Sequence, residues 1–279
     1  MWLLVASSAD EASVAQRGAL LRLADWTEAG TFQGAPALRH GDLTLVTIPD
    51  MHLDHDHVDR EAEAALGVRS EVVVFLSKHR SESRTPSLTV HPIGNLGHAD
   101  FGGRPDTVVP AAPHVMTEAL RAVKREAAGL PYSVTFEATH HGPYLESPAF
   151  YIEAGSTERE WNDPRAAEAL MRALLGLRPR RGPVAIGVGG GHYVPRISDV
   201  ALARGVLFGH IVSGHALPSL TDAMMDQLIA RTPGASIVYF HRKALEKPVL
   251  RDLESRFASR GLRALHEADL PAIGPQQSL

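Results

Sequence analysis

Cysteine is absent from the 279-residue chain, which excludes thiolate catalysis, disulfide bonds and cysteine-ligated zinc. Any transition-metal site must therefore be built from histidine, aspartate and glutamate; fifteen histidines allow one, and also make chance clusters common. A strong positive charge is missing too. The formal net charge is −4, so no global basic field advertises a nucleic-acid partner, although a local basic patch suffices for one. No segment approaches the roughly 20 apolar residues that span a bilayer. The opening MWLLVASSAD has a short apolar run without a basic leader, unlike a signal peptide. A cytoplasmic, monomeric protein with no membrane contact is expected. Internal repeats and long linkers are lacking as well.

What is present is alternation. Strand-type runs fall at 2–6, 43–48, 71–76, 88–91, 133–139, 150–154, 184–188, 205–212 and 236–240. Helix-type runs fall at 11–24, 58–66, 114–127, 164–175, 198–203, 221–230 and 247–259. Runs such as VVVFL and PVAIGV are continuously apolar, as in strands covered on both faces. The pattern predicts a three-layer α/β/α fold, with a mostly parallel mixed central sheet, as one catalytic domain over residues 1–279. The longest irregular stretch, near 94–113, reads as a functional loop within it.

Ligands of such sheets collect beyond the carboxyl ends of the strands. Four strand ends carry suspicious residues: Ser8 and Asp10, His91 to Asn95, His140-His141, and Gly189-Gly190-Gly191-His192. Neighbouring residues on a strand point to opposite faces, so His140 and His141 share a ligand only where the strand has stopped, and Gly142-Pro143 marks that stop. The three glycines favour close backbone approach to a ligand, with amides free for an anion or oxyanion. They are not a Walker loop, because the Lys-Ser/Thr signature is missing.

Five glutamates lie in or beside the stretch EATHHGPYLESPAFYIEAGSTEREW. Glu153 sits in an apolar strand, where a carboxylate is costly unless paired or functional. Glu146 follows the histidine turn as a candidate ligand or general base. Glu158 and Glu160 read as solvated. The sequence HLDHDH at 52–57 is similar to a zinc motif of metallo-β-lactamase-like hydrolases, but Asp54 replaces a required histidine, and a polar entrance to the helix at Val58 is the better reading. Arg178, Arg180 and Arg181, with Arg121, Lys124 and Arg125, are where phosphates of a nucleic acid would be held.

Taken in order, SSADEAS, SKHRSES, TVHPIGN, THHGPYLESPAFYIEAGSTEREW, GVGGGHYVPR, FGH and SGHALP resemble the archaeal-type D-aminoacyl-tRNA deacylases, which are also found in plants. The resemblance covers most of the chain. It implies hydrolysis of the ester between a D-amino acid and the tRNA 3′ end, a fold related to peptidyl-tRNA hydrolases and purine nucleoside phosphorylases, and a zinc cofactor (Zn2+). Carried over by motif, the catalytic candidates are His91, His140, His141, His192 and Glu146. The metal candidates are His140, His141, Glu153, His192 and His210, and the substrate-binding candidates are Ser8, Asp10, Asn95, Gly189, Gly190, Gly191 and Arg196. Whether the histidines hold zinc or move protons stays open at this stage. A nucleoside phosphorylase-like or other nucleotide-processing hydrolase, and a non-catalytic tRNA- or nucleotide-binding protein, are the competing readings.

Overall fold

The apolar runs that read as strands are strands. A computed structural model of the chain describes residues 1–67 and 69–274; residue 68 and residues 275–279 of the unit expected over 1–279 lie outside the described residues. The first third contains β1 (Trp2–Ser7), α1 (Glu11–Leu23), β2 (Thr27–Phe32), β3 (Ala35–His40), β4 (Leu43–Ile48), α2 (Val58–Leu66) and β5 (Val72–Arg80). There follow β6 (Ser87–Pro92), β7 (Gly94–Asn95), β8 (Thr107–Val108), α3 (Pro113–Glu126), β9 (Ser133–Phe136), β10 (Ala149–Ser156), α4 (Glu158–Trp161) and α5 (Pro164–Leu175). The last part holds β11 (Val184–Val188), α6 (Pro195–Ala203), β12 (Leu207–Val212), α7 (Asp222–Ala230), β13 (Ala235–Phe240), α8 (Lys247–Ala258) and β14 (Arg263–Ala264). Proline opens α3, α5 and α6, where its missing N–H costs nothing.

The fold is mixed α/β, as expected, with a large, mostly parallel sheet and flanking helices. Its eight strands run in the order β2-β3-β4-β1-β5-β10-β6-β9. β4, β1, β5 and β10 are mutually parallel, as are β6 and β9, whereas β6 lies antiparallel to β10. Alternate residues feed opposite cores. Leu4, Val74, Leu76 and Ile152 pack with α1, α3 and α5, while Leu3, Val5, Val73 and Tyr151 pack with Val58 and Ala62 of α2.

Three features depart from the sequence reading. The strands expected at 184–188, 205–212 and 236–240 form a separate, wholly parallel sheet, β12-β11-β13-β14. A buried apolar run has the same signature in either sheet, so the division left no mark in the sequence. The β2–β3 hairpin was not expected, because Phe32 and Ala37 are its only buried residues and it shows no apolar alternation. The strand expected over 133–139 stops at Phe136, and the chain beyond it is held by isolated bridges, Glu137 to Tyr193 and His140 to Ile93. Among the described residues no helix is long and apolar enough to cross a membrane.

Candidate active site

One face of the large sheet turns polar where β5, β10 and β6 meet. The registers place Glu153 opposite both Ser77 and Thr89, Tyr151 opposite His91, and Gly155 opposite His79. Paired residues share a face, so His79, Glu153 and His91 form a stripe across three strands. Phe75, Tyr151 and His91 floor that stripe: Tyr151 stacks on Phe75 at 4.8 Å between centroids and on His91 at 5.0 Å, with only 7° between the latter two ring planes. Gly155 is required here, because a Cβ on it would lie 2.7 Å from both Cβ and the carbonyl oxygen of His79.

Three further side chains reach the stripe from loops. His140 and His141 follow the end of β9, and His141 has φ +44°, outside any strand conformation. This turn brings both rings to His91, with centroids 4.2 Å and 4.9 Å away. His192 comes from beyond β11 and places Nε2 2.8 Å from Oε2 of Glu137. Glu137 is wholly buried one residue past β9. Its carboxylate also lies 3.0 Å from Nδ1 of His79 and 3.5 Å from Nε2 of His140.

The charges balance. Burial opposes a positive His79, but Glu137 and Glu153 outweigh it and push its pKa up to about 11. His91 is likewise raised against the cost of its burial, by Glu153 at 3.6 Å. In return, and again against burial, His79 and His91 hold Glu153 down to about 2, while His192 and His79 hold Glu137 well below the carboxylate range. His140 and His141 go the other way. Burial and the neighbouring His91 charge lower both, His141 to about 4, so both are neutral at pH 7. The tyrosine hydroxyl of Tyr193, 2.6 Å from Nε2 of His79, closes the far side.

Backbone carbonyls fix the histidine tautomers, because a carbonyl only accepts. Nδ1 of His140 donates to Ala138 at 2.8 Å, Nδ1 of His141 to Gly142 at 2.7 Å, and Nδ1 of His91 to Pro92 at 3.1 Å. Each ring is thus left with Nε2 to present, the arrangement metal-ligating histidines adopt. One ligand atom from each of His91, His140 and His141 falls within a 4.8 Å cluster, as do those of His79, Glu137 and His192, and those of His91, Glu137 and Glu153. Nε2 of His91 is buried without a hydrogen-bond partner, 3.6 Å from the Glu153 carboxylate. An orphaned buried nitrogen of this kind, beside the neutral imidazoles of His140 and His141 in an all-nitrogen-and-oxygen donor set, fits a divalent ion such as zinc.

Other sequence candidates lie elsewhere or serve the scaffold. His210 does not join the cluster: its Nε2 lies 3.0 Å from the Val109 carbonyl and its Nδ1 3.1 Å from the Thr139 hydroxyl, so both nitrogens are taken, and burial pushes its pKa down to about 3. Glu146 pairs instead with His57 at 3.0 Å. Asp10 caps α1 by accepting from the Ser13 amide, and also accepts from the Lys78 amide and the Ser77 hydroxyl. Ser8 donates to the Ile48 carbonyl, and Arg196 pairs with Glu267. Asn95 clamps the 94–113 loop by donating to the carbonyls of Gly102 and Arg104. The Gly189 amide is not free, since it donates to Val212, and Gly190 receives the Gly214 amide on its carbonyl. Gly189 and Gly190 have φ near +100°, which leaves the turn to glycine. The HLDHDH segment splits three ways: His52 points its Nε2 at the Val5 carbonyl, His55 bridges Asp50 and Glu61, and His57 meets Glu146. Of the arginines near β11, Arg121 is buried against Glu118 and Arg180 also pairs with Glu118, at the end of the strand opposite His192.

His79, Glu137 and Tyr193 are the members that sequence reasoning passed over. His79 stands in SKHRSES, beyond the strand expected over 71–76, yet β5 continues through it to Arg80. Tyr193 follows the GGGH run directly, and that adjacency was the available signal.

A family model described as D-aminoacyl-tRNA deacylase matches residues 66–265. A D-aminoacyl-tRNA deacylase of Thermoplasma acidophilum is 39% identical over 261 residues, covering 92% of this chain and 96% of the relative. One of Methanosarcina mazei is 35% identical over 276 residues, covering 96% and 92%. A crystallised conserved protein of unknown function has 28% identity and a TM-score of 0.90, covering 98% of this chain and 99% of its own. Matched nearly end to end by such relatives, and over most of its length by the family model, the chain belongs to the D-aminoacyl-tRNA deacylase family.

Proposed function

We propose that the chain hydrolyses the ester joining a D-amino acid to the 3′ end of tRNA, releasing free D-amino acid and tRNA, and that the histidine–glutamate cluster is where it does so. The observation that carries this reading is the pair His192–Glu137. His192 is the cluster's most exposed ring, with 46% of its side chain open, and it is oriented by a wholly buried carboxylate at 2.8 Å. A histidine that reaches solvent while a fixed carboxylate holds its far nitrogen is built to take a proton from an attacking water and return it to the leaving ribose hydroxyl. Glu137 keeps the ring in one orientation. His79, lying between the Glu137 and Glu153 carboxylates at 3.0 Å and 3.6 Å, holds Glu137 in place.

The residues that would hold a zinc ion are His91, His140 and His141, with Glu137 and Glu153 near enough to orient or complete the set. When bound there, zinc supplies Lewis acidity for an acyl transfer. A proton on His91 facing Glu153 and a metal ion on the same nitrogen are alternatives that compensate the same buried carboxylates. The test is deacylation of matched D- and L-Tyr-tRNA by chelator-treated enzyme, with and without added zinc. Release of D-Tyr alone, restored by zinc, is expected. Full activity of the metal-free protein would remove zinc from this account, and equal turnover of the L-substrate would remove chiral selectivity.

A further inference from the structure

The loop that borders the histidine turn presents an aromatic ring to water from a rigid mount. In the DFGGRPD segment, 100–106, Gly102 and Gly103 both have φ +72°. A Cβ on Gly102 would lie 1.8 Å from the Leu53 carbonyl oxygen, and one on Gly142 would lie 2.2 Å from the Gly103 amide nitrogen. The loop is therefore wedged between the 52–54 turn and the residue that follows His141. The Gly142 amide donates to the Phe101 carbonyl at 3.0 Å, and the Arg104 guanidinium stacks on Tyr144 at 3.8 Å, which fixes the other flank.

Phe101 itself is 69% exposed, and among the described residues it is the one aromatic in the set of exposed large hydrophobics, the others being Val14, Leu21 and Val249. Single exposed apolar side chains are ordinary on a surface. This one differs in its place: its backbone is tied to the peptide next to His141, and that loop cannot carry the ring away to bury it. The substrate class proposed above ends in an unpaired nucleoside, and proteins hold unpaired bases by stacking them on aromatic rings, since every base offers a π-face.

We propose that Phe101 is the stacking platform for the terminal nucleobase of the tRNA acceptor end, a binding residue that seats the ester beside His141 and His192. The identity of the ligand rests on the deacylase reading, so the test separates the two. Binding of deacylated tRNA is compared with binding of the same tRNA lacking its terminal adenosine, for wild type, Phe101→Ala and Phe101→Trp, with the KM and kcat of D-Tyr-tRNA hydrolysis measured alongside. Loss of one stacked base corresponds to about a 5- to 150-fold change. Wild type and Phe101→Trp should prefer the complete tRNA by that factor, and Phe101→Ala should lose the preference, with its KM rising similarly and kcat moving far less. Tryptophan emission of Phe101→Trp, measured against wild type, should be quenched by the complete tRNA and not by the truncated one. An Ala variant that keeps the wild-type preference, or a wild type that binds both tRNAs equally or neither, overturns the proposal. A wild type that leaves D-Tyr-tRNA intact overturns the deacylase reading, while the binding comparison still decides the role of Phe101.

Discussion

Replacing Glu137 by glutamine keeps the side chain's size and removes one charge from the centre of the cluster. The wild-type carboxylate is wholly buried, within 2.8 to 3.5 Å of His192, His79 and His140. With glutamine in place, the buried His79 charge retains only Glu153, at 3.6 Å. Removing one partner of a buried pair costs about 3–5 kcal/mol, a large share of the roughly 5–15 kcal/mol that holds a domain folded. The sign with pH follows from His79. Its pKa is raised, so its contribution is complete below its unfolded value of about 6.5 and is lost as pH rises through about 11. Glu137→Gln should therefore lose stability at neutral pH and lose much of the wild-type decline in alkali. His192 would lose its orienting charge, and an amide in that role lowers turnover by about 10⁴ in the best-studied triad. Denaturant unfolding at pH 7 and pH 10, with single-turnover hydrolysis of D-Tyr-tRNA, reads both effects. An unfolding midpoint and a rate close to wild type would refute the reasoning, because neither pairing would then matter.

Two further outcomes test the scaffold. Gly155→Ala forces a methyl to within 2.7 Å of His79, and overpacking of this kind costs about 1–3 kcal/mol; a lower unfolding midpoint and reduced turnover are expected, and an unchanged midpoint would mean that the β5–β10 contact is loose. Acid should destabilise the protein before its carboxylates titrate. His52 and His210 are depressed by burial to about 4 and about 3, so their contribution is present above the unfolded value of about 6.5 and is lost as pH falls through the folded values. Near pH 5 the unfolded chain binds close to two more protons at these sites, a slope of about 2–3 kcal/mol per pH unit. Urea midpoints that stay flat between pH 7 and pH 5 would contradict the neutral, buried state of both rings.

The sequence carried the parallel strands and most of the helices, because continuous apolar runs and proline-opened helices are local signals. It carried His91, His141 and His192 because each stands at or near a strand end with glycine or proline beside it, and His140 because it adjoins His141. It did not carry Glu137, whose burial is created by three elements far apart in the chain: β9, the His192 loop and the end of β5. His210 shows the converse. Its FGH context looks like the others, but it is excluded by Val109 and Thr139, contacts that exist only once the two sheets meet. Glu153 was legible for a physical reason, since a carboxylate inside FYIEAG needs a partner, and His79 and His91 provide it.

In the mechanism proposed above, the exposed His192, held by the buried Glu137, deacylates D-aminoacyl-tRNA. The most direct measurement is hydrolysis of D- and L-Tyr-tRNA by wild type and by His192→Ala, side by side. Wild type should release D-Tyr and spare L-Tyr, and the variant should remain folded while its rate falls by about 10²–10⁴. Equal rates for wild type and His192→Ala on D-Tyr-tRNA would contradict it.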